Sequence, residues 1–120
     1  MQLLEVHGKQ LDVTEAIQEH VAEKLTSVAK LTEKFEPCDV RVNVGKEAGG
    51  QAKGDVFSAE FLLSIPGANL RAEVKKDDLY AAIDLAVKEL RRQVKDFKEK
   101  MIDADRVAMD TEIEETTTEF

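Results

Sequence analysis

The sequence predicts an α+β fold in which a four-stranded mixed sheet carries two helices on one face, in the order β-α-β-β-β-α. Residues 14–36 and 75–101 repeat apolar side chains at steps of three and four, the period of amphipathic helices. Four shorter segments alternate apolar and polar side chains, as half-buried strands do. With 120 residues, 42% of them apolar, the chain is long enough for one domain with a modest core.

A change of period after Gly8 separates the first strand from the first helix. Residues 2–7 alternate and predict a strand, whereas Thr14 is a good N-cap for a helix. Pro37 forbids helix beyond it, so we expect about five helical turns that end just before this proline. The apolar stripe of this helix consists of Ile17, Val21, Leu25, Val28, Leu31 and Phe35.

Three more strands are predicted in the middle of the chain. Residues 38–46 alternate, a glycine-rich loop occupies residues 47–54, and the alternation resumes over residues 55–65. A Pro-Gly turn then leads into a strand around residues 70–74. The first helix is a crossover that allows the first two strands to run parallel, and the two following connections are hairpins. Both helices need an apolar surface, so we expect them on one face of the sheet and solvent on the other.

Residues 75–101 predict a second helix with two chemically different faces. Asp77 is expected to cap its start, and Asp78 suits the positive end of the helix dipole. The apolar face consists of Leu79, Ile83, Ala86, Leu90, Val94, Phe97 and Met101. At 100° per residue, the opposite face carries Lys88, Arg91, Arg92, Lys95 and Lys98. One face is therefore expected to be buried against the sheet while the other presents cations.

The net charge of −8 is unevenly distributed along the chain. Residues 102–120 contain seven acidic residues and one basic residue, which leaves 18 acidic and 16 basic residues in 1–101. We therefore expect a domain over residues 1–101 and an acidic, flexible tail over residues 102–120, where the apolar period is lost. The overall charge conceals a basic patch on the second helix.

Several classes of function find no support in the sequence. A lone cysteine, Cys38, excludes an internal disulfide framework, and no apolar run has the length of a membrane span or the layout of a signal peptide, so we expect a cytoplasmic protein. His7 and His20 have no partner at metal-ligand spacing. The sequence contains no nucleophile-base arrangement and no phosphate-binding loop. We expect no enzyme, metal, cofactor or small-molecule substrate.

The order of elements and residues 77–98, DDLYAAIDLAVKELRRQVKDFK, carry a specific likeness, strongest at Asp78, Tyr80, Ala82, Ile83 and Asp84. Over roughly residues 1–100 the chain resembles the ribosome hibernation promoting factor family, which includes ribosome-associated inhibitor A. The resemblance implies a translation inhibitor that occupies the channel for messenger and transfer RNA on the small ribosomal subunit and keeps ribosomes inactive during stress or stationary phase. Long members add a C-terminal domain that pairs ribosomes, which we do not expect in a chain of this length. The resemblance further implies that short members either promote ribosome dimers with a helper protein or, when they carry an extended tail, keep ribosomes as single inactive particles. The tail of this chain favours the second behaviour.

The resemblance also implies that basic helix surfaces contact ribosomal RNA. From spacing alone, the commoner explanation of the cations on the second helix is solubilising ion pairs, here Asp84 with Lys88, Arg92 with Asp96 and Lys95 with Glu99. The family likeness favours RNA binding instead. The candidate residues for binding ribosomal RNA are Lys24, Lys30, Lys75, Lys76, Lys88, Arg91, Arg92, Lys95 and Lys98.

Alternatives stay open for individual candidates. Lys24 either extends past the edge of the core or joins Lys30 in lining a groove with the second helix. Lys75 and Lys76 either extend the basic surface or protect an edge strand from unwanted pairing. Tyr80 is expected to pack against the sheet with its hydroxyl at the rim, in preference to stacking on a base.

Two other functions compete with ribosome binding. A freestanding double-stranded RNA-binding domain also sets two helices on a small sheet, but it depends on a lysine cluster where this chain has Asp77 and Asp78. A protein-interaction module without an RNA role would use the open face of the sheet or the tail. Its binding would be insensitive to salt and to reversal of the charges of Arg91, Lys95 and Lys98.

Overall fold

The protein contains the six predicted elements in the predicted order. The structure, a computed structural model, describes residues 1–48 and 54–117, and its side chains up to residue 102. The elements are β1 (Gln2–Lys9), α1 (Glu15–Leu31), β2 (Asp39–Glu47), β3 (Val56–Ile65), β4 (Ala68–Lys76) and α2 (Leu79–Thr117). The strands form one sheet in the order β1-β2-β3-β4, with β1 parallel to β2 and the other pairs antiparallel. The predicted fold class is confirmed, and β1 and β4 are the edge strands.

Helix α1 begins as predicted and ends earlier than predicted. The Thr14 hydroxyl oxygen accepts a hydrogen bond of 3.2 Å from the backbone N–H of Ile17, which confirms this residue as the N-cap. The helix ends at Leu31, since Thr32 turns out of helical geometry while its N–H still bonds to the carbonyls of Val28 and Ala29. The helix was predicted to be too long because Phe35 continues the apolar spacing. In the structure Phe35 packs on the core from the loop that follows the helix.

The β3–β4 hairpin is closed by the predicted tight turn. Gly67 lies at φ +91°, in the left-handed region that residues with a side chain rarely adopt. The hairpin register pairs Phe61 with Ala72, and β2 contributes Val42 opposite Phe61. All three side chains are buried, so the alternation read from the sequence points to the core face of the sheet. Residues 49–53 of the glycine-rich loop lie outside the described residues.

Helix α2 differs from the prediction at both ends. Asp78 is the N-terminal cap, because its carboxylate accepts a 3.1 Å hydrogen bond from the backbone N–H of Ala81; the assignment to Asp77 was wrong by one residue. The helical backbone also continues beyond Met101 to Thr117. An apolar stripe is not needed for this, since helical hydrogen bonds are internal and the segment contains helix-compatible Ala, Arg, Met and Glu residues. The flexibility of residues 102–120 stays a prediction, and residues 118–120 lie outside the described residues.

The core lies between the helices and one face of the sheet. Val21 and Val28 of α1 and Ile83, Leu90 and Val94 of α2 are completely buried there. The opposite face of the sheet carries polar side chains that bond to one another across β2, β3 and β4. These bonds join Asn43 to Glu60, Glu60 to Arg71, and Arg71 to Glu73.

None of the helices in the described part of the chain is long and apolar enough to cross a membrane.

Candidate nucleic-acid interface

The exposed side of α2 carries a row of cations that we call the cationic ridge, formed by Lys88, Arg91, Lys95 and Lys98. Lys88 and Lys95 are exposed, and Arg91 and Lys98 are half-buried. Within residues 1–48 and 54–102, no carboxylate lies within 4.0 Å of any of their side-chain nitrogens. Their positive charges are thus not offset by a close acidic partner in that part of the chain. Unpaired cations spaced at three, four and three along a helix form a linear surface suited to a phosphate backbone.

Arg91 differs chemically from the lysines of the ridge. Its Nε atom is buried and has no hydrogen-bond partner among the described residues. A buried N–H group without an acceptor is costly, and most such groups in proteins find a partner. The guanidinium group offers a planar set of donors that matches a phosphate or the edge of a base. Through this planar group, Arg91 can offer a phosphate or a base edge more than the point charge of the lysines.

Arg92, the next residue, behaves in the opposite way. Its guanidinium group bonds to both Glu89 carboxylate oxygens, at 3.1 Å through Nε and 2.5 Å through Nη2, and Nη1 bonds to Asp96 at 2.7 Å. The hydrogen bonds with Glu89 raise the pKa of Arg92 and lower the pKa of Glu89. Two acidic neighbours thus offset its charge, and Arg92, although a predicted site residue, belongs to an intrahelical ion-pair cluster.

Only one of the three predicted intrahelical ion pairs is present. Arg92 pairs with Asp96 as expected. Asp84 contacts His20 and Lys24 of α1 and does not approach Lys88 within salt-bridge distance. Lys95 and Glu99 are likewise not paired in the described structure. The explanation of the ridge as a set of solubilising ion pairs is therefore wrong for Lys88 and Lys95, which remain available to a partner.

A groove of about 790 Å³ runs between α2 and the edge strand β4. The amide Nε2 of Gln93 donates a 2.7 Å hydrogen bond to the backbone carbonyl of Arg71 and ties the helix to the edge of the sheet. Ala72 and Val74 contribute an apolar part of the lining. Five basic and two acidic residues line the groove, which gives it a formal surplus of three positive charges; they are Arg71, Lys88, Arg91, Arg92 and Lys95, with Glu73 and Glu89.

The structure separates Lys75 and Lys76, which the sequence grouped together. Successive strand residues point to opposite faces. Lys76 shares the parity of Ala72 and Val74 and lies on the helical side, whereas Lys75 lies on the open face, 3.7 Å from Glu47. Since β4 is an edge strand, both lysines also protect its exposed backbone from unwanted pairing. Lys76 is thus the one of the two that shares a side of the sheet with the cationic ridge.

The two lysines of α1 also occupy different places. Lys24 is half-buried at the junction with α2, and its Nζ lies 3.9 Å from Asp84 Oδ1. Lys30 is exposed in the last turn, and helical geometry puts it on the far side of α1 from the core stripe. Lys24 therefore lies beside α2, as one alternative proposed, but Lys30 does not join it there.

A contact between the helices that the sequence did not reveal lies at the start of α2. His20 Nε2 is 2.7 Å from Asp84 Oδ1, and the His20 ring meets Tyr80 edge to face with centroids 4.9 Å apart. Tyr80 is 38% exposed and is not part of the core cluster, so the prediction that it packs against the sheet was wrong. Arg71 and Gln93 were also missed, because their roles depend on which strand lies beside α2, and no local pattern encodes this.

The described part of the molecule offers little support for metal binding or thiol chemistry. No group of three or more His, Cys, Asp or Glu side chains is arranged to hold a metal ion within the residues searched. The Cys38 thiol is buried, and this burial raises its pKa, so the reactive thiolate form is disfavoured. The arrangement of the site favours electrostatic binding of a polyanion.

Comparison with solved structures agrees with the fold. The crystal structure of the N-terminal domain of Thermus thermophilus protein Y has a TM-score of 0.61 and 34% sequence identity, and covers 81% of this chain and 99% of that one. A ribosomal subunit interface protein from Coxiella burnetii has a TM-score of 0.63 over 82% of this chain and 99% of that chain. At 19% identity, the second likeness supports the fold alone.

Sequence comparison finds relatives of the kind that the α2 motif indicated. The ribosome hibernation promotion factor of Deinococcus radiodurans is 35% identical over 98 residues, which are 82% of this chain and 50% of the relative. That of Staphylococcus aureus is 30% identical over 109 residues, 91% of this chain and 55% of the relative. The chain thus spans about half the length of these curated relatives. The family model described as sigma 54 modulation protein / S30EA ribosomal protein matches residues 4–102, and the chain belongs to this family.

Proposed function

We propose that this protein binds the small ribosomal subunit in the channel for messenger and transfer RNA and keeps ribosomes inactive during stress or stationary phase. The observation that carries the proposal is the cationic ridge, whose cations have no close carboxylate among the described residues of a protein with a net charge of −8. An acidic protein is repelled by RNA unless its positive charges are gathered on one surface. Here four of the 17 Lys and Arg residues are gathered along one side of α2.

The family supports a ribosomal partner. Both curated relatives carry the name ribosome hibernation promotion factor. Because this chain spans about half of each, ribosome binding by this chain is part of the proposal. The partners that we propose are the ribosomal RNA of the small subunit and adjacent ribosomal proteins, which implies a cytoplasmic location.

Inhibition in this proposal is steric and requires no chemical step. Lysines and arginines that contact phosphates release condensed counterions, so the affinity is high at low salt and falls steeply as salt rises. Arg91 adds a planar group that can contact a phosphate or a base edge, whereas the lysines contribute point charges. A body held in this way in the decoding channel excludes messenger and transfer RNA by occupying their volume.

The decisive experiment measures binding of the full chain to isolated small subunits by cosedimentation over a series of salt concentrations. The triple variant Lys88→Glu, Arg91→Glu and Lys95→Glu should lose roughly 10²- to 10³-fold in affinity near 0.1 M salt. The dependence of the logarithm of affinity on the logarithm of salt should become shallower by about three.

A matched control reverses three basic residues of β1 and β2, none of which lines the groove beside α2: Lys9→Glu, Arg41→Glu and Lys46→Glu. It makes the same change in net charge and should retain binding to within a few-fold. Equal losses in both triple variants would contradict the assignment of the interface to α2. Equal affinity of the wild-type protein for naked duplex RNA and for small subunits would favour a freestanding duplex reader instead.

We also propose that residues 102–120 act apart from the docking surface. These residues carry seven acidic groups and one basic group, so their charge opposes that of the ridge. Truncation after Met101 should leave small-subunit binding intact but change competition with messenger RNA or the dimerisation of ribosomes. Unchanged behaviour in both assays would reject a role for this segment.

A further inference from the structure

The exposed aromatic ring of Tyr80 is not explained by the fold or by the ridge. It is 38% exposed and lies outside the core cluster, where an aromatic ring would contribute most to stability. Its described aromatic contact is with His20, at a ring-centroid distance of 4.9 Å and an interplanar angle of 89°. An edge-to-face contact uses at most one face of the tyrosine ring. The ring can therefore meet a second flat group.

The orientation of this ring is set by a contact between the two helices. His20 Nε2 lies 2.7 Å from Asp84 Oδ1, and Asp84 follows Tyr80 by one helical turn. The imidazole thus touches both side chains and holds the tyrosine against α1. A side chain that is already oriented loses less conformational entropy when it binds a ligand. Lys24, with its Nζ 3.9 Å from the same carboxylate oxygen, places a cation beside the pair.

Tyr80 continues the line of the cationic ridge toward the start of α2. Residues 80, 84, 88, 91, 95 and 98 follow one another at steps of three and four, so they form one row on the helix surface. Tyr80 lies about 12 Å along the helix axis from Lys88. A single RNA strand whose phosphates follow the ridge would pass Asp84, whose carboxylate faces His20 and Lys24, and reach the tyrosine with a base.

We propose that Tyr80 is a stacking site for one unstacked base of RNA, with His20 as the residue that positions the ring. Unpaired bases stack on aromatic side chains in most modes of single-strand recognition, and every base has a flat face that suits this contact. The inference rests on the proposed function, since it adds a single-stranded contact to the RNA surface on α2. It assigns to Tyr80 a role that depends on aromaticity and not on charge.

The first test measures the affinity of full-length variants for isolated small subunits. Tyr80→Ala should weaken binding roughly 5- to 150-fold, the range for loss of one stacked base. Tyr80→Phe, which keeps the ring, should bind within about twofold of wild type, while Tyr80→Leu keeps an apolar contact with His20 but should bind as weakly as the alanine variant. The salt dependence should not change in any of them, because no charge is removed.

Leu4→Ala is the control, since Leu4 is 41% exposed and lies on β1, away from α2. It should bind as the wild type does. Wild-type affinity in Tyr80→Ala and Tyr80→Leu would overturn the stacking site and leave the proposed function standing. Failure of the wild-type protein to bind small subunits would instead reject the proposed function.

A second test uses the fact that the chain has one tyrosine and no tryptophan, so its intrinsic fluorescence reports on Tyr80 alone. The probes are a short oligouridylate and an abasic ribose-phosphate chain of equal length, both bound to saturation at low salt. Stacking should quench the fluorescence with oligouridylate and leave it nearly unchanged with the abasic chain. Equal quenching by both probes, or none by either, would contradict the proposal.

Discussion

The two faces of α2 show how one helix can separate folding from binding. On the inner face, Ile83, Leu90 and Val94 are 0% exposed and pack between the sheet and α1. On the outer face, Lys88 and Lys95 are exposed and have no carboxylate within salt-bridge distance among the described residues. Substitutions on the inner face should therefore change stability, whereas substitutions on the outer face should change affinity for RNA with little effect on stability. The predictions below test this separation.

The largest effect is expected at the centre of the inner face. Leu90→Ala should lower the free energy of unfolding by about 2–5 kcal/mol, because it removes buried methyl groups and leaves a cavity. Leu85→Ala, on the same helix but 38% exposed, should change it by less than about 0.5 kcal/mol. Urea denaturation measures both values. Equal losses at the two positions would contradict the division of α2 into a buried and an exposed face.

The next largest effect is a difference in RNA affinity between substitutions of two neighbouring arginines on the outer face. Arg91→Ala should weaken binding to small subunits by about tenfold near 0.1 M salt, because it removes one unpaired cation from the ridge. Arg92→Ala should leave the affinity within about twofold, since Glu89 and Asp96 already engage that guanidinium group. Cosedimentation measures both. An equal loss for both variants would show that internal ion pairing does not remove an arginine from the interface.

A smaller effect on stability is expected at the N-terminus of α2. Asp78→Ala should lower the free energy of unfolding by about 1 kcal/mol, because the N–H of Ala81 loses its acceptor. Asp77→Ala is the matched control and should have a much smaller effect, since the described cap bond involves Asp78 alone. A larger loss for Asp77→Ala than for Asp78→Ala in urea denaturation would show that Asp77 is the N-cap.

The smallest effect is expected on the open face of the sheet, where charges are paired within the fold. Hydrogen bonds from Asn43, and then from Arg71, lower the pKa of Glu60 below its ordinary value of 4.5. The ionised form is favoured in the folded state, so its contribution to stability is present above about pH 4.5 and is lost as the pH falls through the lowered value. Solvent near the exposed Arg71 side chain limits the size of this contribution.

Glu60→Gln should therefore destabilise the protein at pH 7 by less than Asp78→Ala does, and the difference from wild type should shrink as the pH falls below about 4.5. Thermal unfolding at several pH values measures this. Glu33→Gln, at an exposed residue outside the network, is the control and should show no such trend. A difference that grows in acid would contradict the assigned direction of the pKa change.

Sequence patterns were sufficient for most of the fold and for part of the site. The alternation of Val40, Val42 and Val44 and the helical stripe from Leu79 to Val94 each depend on a short segment, and these side chains are buried. The last two members of the predicted stripe are not, since Phe97 is half-buried and Met101 is exposed. The boundaries were less accurate, because Phe35 reaches the core without being helical and the backbone after Met101 stays helical without an apolar stripe. The spacing of apolar residues shows which side chains contact the core. It does not show where a helix ends.

The same limit applies to the candidate site. Spacing along α2 identified Lys88, Arg91 and Lys95 as one row because helical geometry is local. The same spacing predicted an ion pair between Asp84 and Lys88. In the structure Asp84 bonds instead to His20, which is 64 residues away in sequence. Likewise, Arg92 and Arg91 look equivalent in the sequence, but only Arg92 has two acidic partners in the described structure.

The sequence by itself determined the two amphipathic helices, the alternating strands, the position of the Pro-Gly turn and the presence of a cationic row on α2, since each follows from backbone geometry and side-chain polarity within a few residues. The tertiary structure decided which cations remain unpaired, which side of the sheet Lys75 and Lys76 occupy, and that Tyr80 meets His20. These outcomes depend on contacts between elements distant in sequence. A charge is neutralised by whichever opposite charge lies within a few ångströms, and only packing determines that distance.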